Sequence, residues 1–125
     1  MKALDLVRGM IEGRGDSVAE IKMVHGGKHA IVYTDSGMIY YVLFKREMFG
    51  SFGDIFNRKG IGESINAEAL DLAMDRGAML VLVAYPDGKV YSLTPDEWSR
   101  SPYIRDTEDG ERTISVPINW MRRWK

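Results

Sequence analysis

Apolar positions concentrate in two runs, one within Met38 to Glu47 (MIYYVLFKRE) and one from Met79 to Tyr85 (MLVLVAY), with shorter periodic segments around them. In the first run Ile39, Tyr40, Tyr41, Val42, Leu43 and Phe44 are β-branched, aromatic or aliphatic and carry no helix-period polar face, which predicts a central strand. Side chains alternate across a strand, so Tyr41, Leu43 and Lys45 share one side and Tyr40, Val42 and Phe44 the other. Lys45 then sits where the strand leaves the core, followed at once by Arg46 and Glu47. Met79 to Tyr85 is apolar on both faces, the pattern of a buried strand covered on two sides and often paired in parallel.

The remaining elements follow from spacing and punctuation. Ala3, Leu4, Val7, Met10 and Ile11 recur at helical spacing, predicting a helix over about Ala3 to Glu12 that Gly13 and Gly15 end. Ser17 to Val24 alternates as a strand, with Ala19, Ile21 and Met23 on one face and Glu20 and Lys22 on the other. The doubled glycine in His25-Gly26-Gly27-Lys28 suits a hairpin turn into a second strand, His29 to Thr34. Asp35, Ser36 and Gly37 make the next tight turn, so these two strands and the central run form a β-meander. MFGSFGDIFNRKGIGES, residues 48 to 64, is too glycine-broken for a core helix and too apolar for ordinary disorder, and reads as a mobile or partner-ordered loop.

Asn66 caps a helix over Ala67 to Arg76, whose Ala69, Leu70, Ala73 and Met74 form an inward stripe against outward Glu68, Asp71 and Asp75. Pro86-Asp87-Gly88 turns into a strand over Lys89 to Leu93. Thr94, Pro95 and Glu97 then supply cap, first-turn proline and N3 acid for a short helix carrying Trp98. Residues 101 to 112 are polar and acidic, and ISVPINWMRRWK returns to apolar and basic residues; Trp120 to Lys125 reads equally as cations interleaved with aromatic faces or as a terminal helix docking its tryptophans on the core.

At 125 residues and 45% hydrophobic content the chain makes one domain, residues 1 to 125, with a core over 3 to 93 and an extension over 94 to 125. A formal net charge of -1 argues against coating nucleic acid or membranes through bulk charge, so a polyanion site must be confined to one face. The absence of cysteine excludes disulfide frameworks, thiolate metal sites and cysteine nucleophiles, and makes a cytoplasmic protein the default expectation. Asp5, Arg8 and Glu12 interrupt the N-terminal apolar pattern, so neither a signal-peptide core nor a membrane span is expected.

Helix, three-stranded meander, loop, helix and buried strand give an αβββαβ order, an α/β (α+β) arrangement with a mixed sheet flanked by helices, an extra C-terminal hairpin strand and short helices. Over about Ala3 to Leu93 this order resembles the restriction-endonuclease-like (PD-(D/E)xK) superfamily, and the chain is similar in size to the archaeal Holliday-junction resolvases. The resemblance implies a proline-aspartate pair opening the second meander strand and a glutamate-x-lysine pair near the end of the third. Lys45 occupies the lysine position, but Leu43 stands where the acid belongs, and the proline-aspartate positions fall on His29 and Ala30. What the resemblance implies is therefore a nuclease-like, nucleic-acid-binding domain without the usual metal-dependent cleavage site.

Cleavage in that family relies on acidic side chains that hold magnesium and on a lysine that orients the nucleophile. An active Mg2+-dependent nuclease would need relocated acids: Glu68 beside a catalytic Lys45, with Glu12 or Glu20 as further metal ligands. Each has a plainer reading, Lys45 as a strand-end lysine with its head in water, Glu68 as a first-turn acid on a helix, and Glu12 and Glu20 as surface acids. His25 and His29 do not share a helical face and read as solvated turn histidines rather than a zinc motif. Gly60 and Gly62 in KGIGES lack the lysine and hydroxyl of a phosphate loop.

Contacts to DNA or RNA would come from Lys28, His29, Lys45 and Arg46 at the meander's basic end, and from Arg122, Arg123 and Lys125 interleaved with Trp120 and Trp124. A third reading is a protein-interaction or assembly module. It would form a homodimer through the 48 to 56 loop, with Phe49, Phe52 and Phe56, or through the C-terminal tail.

Overall fold

The computed structural model describes residues 2–46 and 62–125. The protein is an α+β fold of two sheets and three α-helices among the described residues. The loop aromatics Phe49, Phe52 and Phe56, together with Gly60, lie outside the described residues.

Helix α1 (Lys2–Gly13) leads into the meander β1 (Val18–Val24), β2 (His29–Thr34) and β3 (Ile39–Phe44), three consecutive antiparallel strands. Strand β4 (Gly62–Asn66) precedes helix α2 (Ala67–Asp75). Strand β5 (Leu80–Ala84) then enters the first sheet parallel to β3, with Tyr41 opposite Val81 and Leu43 opposite Val83. β6 (Val90–Leu93) returns antiparallel, and helix α3 (Pro95–Ser99), the hairpin β7 (Tyr103–Asp106) and β8 (Arg112–Pro117), and β9 (Arg122–Arg123) complete the chain. The six-stranded sheet runs β1-β2-β3-β5-β6-β9, and the second runs β4-β8-β7.

The two-faced pattern of β3 and β5 is used on both sides. Val7 and Ile11 of α1 close one face over Val32, Tyr40, Val42, Leu82 and Trp124. On the other face Ile31, Tyr41, Leu43, Val81 and Val83 pack against Leu70 and Ala73 of α2, Trp98 of α3, and Ile65 and Val116 of the second sheet. Each large apolar side chain buried here contributes about 1.5–3 kcal/mol. Asn66 Oδ1 accepts from the Glu68 and Ala69 amides, and Gly77 (φ 76) takes the left-handed conformation that ends α2.

Four sequence expectations are corrected. A register shift between Val18 and Glu20 takes Ala19 out of phase with Ile21, and Met23, in phase with Ile21 but on the edge strand, is 45% exposed. Met74 faces solvent rather than joining the inward stripe of α2. Residues 62–64, read as the end of a loop, form β4. The tail is an extended β9 docked on β6, not a helix, because Pro117 halts the β8 ladder and Met121 continues in extended backbone.

Candidate functional site

The turn between β1 and β2 holds three successive residues at positive φ, His25 (54°), Gly26 (65°) and Gly27 (83°). Glycine adopts this region freely and histidine tolerates it, so the doubled glycine is what permits so tight a reversal. The reversal brings His25 back over His29, with ring planes 7° apart and centroids at 4.6 Å. His29 opens β2 and is only 6% exposed, which corrects its reading as a solvated turn residue.

Its Nδ1 lies 2.7 Å from the Tyr41 hydroxyl. Burial pulls the His29 imidazole down to about 3, and the charges of His25, Lys45 and Lys28 push the same way. Burial likewise pushes the Tyr41 phenol up to about 12. Both groups are therefore neutral near pH 7, and the phenol can donate to the unprotonated Nδ1.

Lys45 follows β3 directly, its amide bonded to the Ala84 carbonyl at 3.0 Å. Its ammonium is 3.6 Å from Oε2 of Glu63. Glu63 lies on β4, is 3% exposed, and accepts from the Tyr85 hydroxyl at 3.0 Å and from the Ser64 amide at 3.1 Å. Burial and then the Glu63 charge push the Tyr85 phenol far up, so it remains a donor. One buried carboxylate is thus gripped by an ammonium and a phenol, each supplied by the end of a different strand.

Glu63 was not singled out from the sequence. The available signal was weak: in GESIN the acid alternates onto the face of Ile65, but five residues beside a glycine-rich stretch do not announce a strand. Glu68, expected beside Lys45, is exposed in the first turn of α2. Glu12 is exposed in the last turn of α1 and Glu20 on β1. Among the described residues no three metal-ligating side chains gather.

The predicted basic residues fall into two groups. Lys28 is exposed, and its carbonyl accepts from the Phe44 amide at 3.4 Å, which sets the β1–β2 turn beside the end of β3, where Lys45 and the exposed Arg46 stand. Arg122, Arg123 and Lys125 belong to the β9 edge, three strand spacings or about 14 Å across the sheet from β3. There Arg122 forks onto Glu97, with Nη1 2.9 Å from Oε2, and holds that carboxyl below the usual range. The Arg123 guanidinium lies 5.9 Å from the centre of the Tyr91 ring. The Lys125 carbonyl accepts from the Arg14 guanidinium.

At the carboxyl ends of the parallel pair β3 and β5 lies a cavity of about 500 Å³. Lys2, Lys45 and Arg46 line it together with Asp87 and an apolar set that includes Leu6 and Phe44. Crevices at this end of parallel strands are where open α/β sheets place ligands. Among the described residues no helix is long and apolar enough to cross a membrane. Comparison of the chain with known family models, with curated proteins and with solved structures found no match.

Proposed function

We propose that the protein is a nuclease-like domain that binds DNA or RNA through the phosphate backbone at the end of β3, without the usual metal-dependent cleavage site. The observation that carries this is the gathering of Lys28, Lys45, Arg46 and Lys2 at one end of the sheet in a chain of net charge -1. Among the described residues the acids at this end are engaged: Glu63 is buried against Lys45, and Asp87 caps its own turn and pairs with Lys89 at 3.8 Å. Lys2, Lys28 and Arg46 form no ion pair among the described residues, and a cluster of unpaired cations is what attracts phosphate. The nuclease-like part of the reading is supported by the order of elements, a meander followed by a helix and a strand parallel to β3.

A cleavage centre would need several oxygen ligands on one cation. Glu12, Glu20 and Glu68 sit on three separate elements, and Glu63 is committed to Lys45, Tyr85 and the Ser64 amide. Binding without turnover is therefore the activity proposed.

Titration of fluorescent single-stranded, duplex and branched oligonucleotides over a salt series tests it. Affinity should fall steeply with salt, and Lys28→Gln with Arg46→Gln should flatten the log–log slope by about 1.5–2, close to one unit per lost phosphate contact. These exposed positions serve better than Lys45, whose removal would leave Glu63 buried and unpaired. Salt-independent binding, or none together with a stable dimer, would replace this reading with the assembly module. Cleavage with magnesium or manganese that Lys45→Ala abolishes would replace it with the active nuclease.

A further inference from the structure

The cavity at the ends of β3 and β5 combines two chemistries. Its apolar lining comes from Ala3 and Leu6 of α1, Phe44, and Ala84 at the end of β5, whereas its charged lining is Lys2, Lys45 and Arg46. Asp87, the one lining carboxylate among the described residues, accepts from the Lys89 amide at 3.0 Å through Oδ1 and pairs with the Lys89 ammonium at 3.8 Å through Oδ2. Lys45 shares its charge with Glu63, while Lys2 and Arg46 carry no ion pair among the described residues.

Two unpaired cations, Lys2 and Arg46, over an apolar lining call for an amphipathic anion. At about 500 Å³ the space falls within the range of about 300–1,000 Å³ typical of small-molecule sites, enough for one nucleotide-sized group. We propose that this cavity takes a phosphomonoester on a body of nucleoside size, from either of two sources, a free mononucleotide or the phosphorylated end of a strand. A monoester carries about -1.5 to -2 charges at pH 7, whereas each internal diester carries one, so the monoester matches the two unpaired cations, Lys2 and Arg46, better. The guanidinium of Arg46 offers the planar fork suited to phosphate oxygens, and the apolar wall covers the attached sugar and base. The inference rests on the polyanion reading of the same strand ends and narrows it from backbone to terminus.

Calorimetric titration of the whole protein with 5′-AMP, adenosine and inorganic phosphate, alongside oligonucleotides with and without a 5′-phosphate, tests the inference and separates the sources. AMP should bind roughly tenfold or more tighter than either of its halves, and the 5′-phosphate should improve oligonucleotide affinity by a similar factor. Ala3→Phe, which fills the cavity from α1 and leaves every cation in place, should erase both preferences while salt-dependent oligonucleotide binding persists. Lys2→Gln, an exposed change, should weaken AMP binding in the same direction if Ala3→Phe disturbs folding.

Oligonucleotides that bind in a salt-dependent way with no end preference, and with AMP silent, overturn the terminal site and leave the backbone reading standing. AMP binding without any oligonucleotide binding overturns the backbone reading and retains the site for free mononucleotides. Silence in both arms overturns both.

Discussion

His29 shows how one buried side chain ties stability to pH. Its folded value near 3 lies below the ordinary 6.5, so between those values the unfolded chain binds a proton that the folded one does not. Stability is therefore fully present above about pH 6.5 and is lost as pH falls toward 3, at up to about 1.4 kcal/mol per pH unit. Between about pH 6.5 and 5 most carboxylates stay ionised, and urea denaturation there should show a loss approaching about 2 kcal/mol. His29→Gln, which keeps a polar partner for Tyr41 and cannot titrate, should lose less than half as much. An equal loss in the variant would assign the dependence to another group.

At the scale of elements, Glu97 links two that are distant in sequence. It completes the capping box of α3, accepting from the Thr94 amide at 2.8 Å while Thr94 Oγ1 accepts from the Glu97 amide at 3.1 Å. The same carboxylate receives the Arg122 fork from β9. Thr94→Ala should cost about 1 kcal/mol, the usual worth of a cap. Glu97→Ala should cost more, because it also leaves Arg122 without its acceptor. Hydrogen exchange locates the difference: the Trp124 amide, bonded to the Val90 carbonyl at 2.8 Å, should exchange faster in Glu97→Ala and remain protected in Thr94→Ala. Equal protection in both would mean that β9 is held by its ladder and by Trp124 alone.

For the whole molecule, Trp124 joins the tail to the layer beneath α1. It is 5% exposed, its ring centroid is 5.5 Å from that of Tyr40, and the Arg14 guanidinium lies 4.2 Å from its ring centre. Trp124→Ala should destabilise by about 3–5 kcal/mol, the range for removing a buried large aromatic. A double-mutant cycle with Arg14→Ala should return a coupling of about 0.5–1 kcal/mol for the cation over the ring. A Trp124→Ala cost below about 1 kcal/mol would show that the tail is peripheral to the core.

Much of this was legible in the chain itself. Strands β2 and β3 fall where the turn signals and the apolar run placed them, the two-faced MLVLVAY became the parallel β5, and Asn66 and Thr94 cap the helices they announced. These features depend on chemistry within a few residues: side-chain period, a capping oxygen, a glycine that tolerates positive φ. By contrast, β4 finds its partner only in β8, with Glu63 opposite Val116, and β9 finds its own in β6. Short strands carry too few residues to show a period, and what stabilises them is a ladder to a segment far along the chain. The partner of Lys45 was decided in the same way. Whether an acid meets that ammonium depends on which strand the fold lays across the ends of β3 and β5, and pairing with β8 laid Glu63 there.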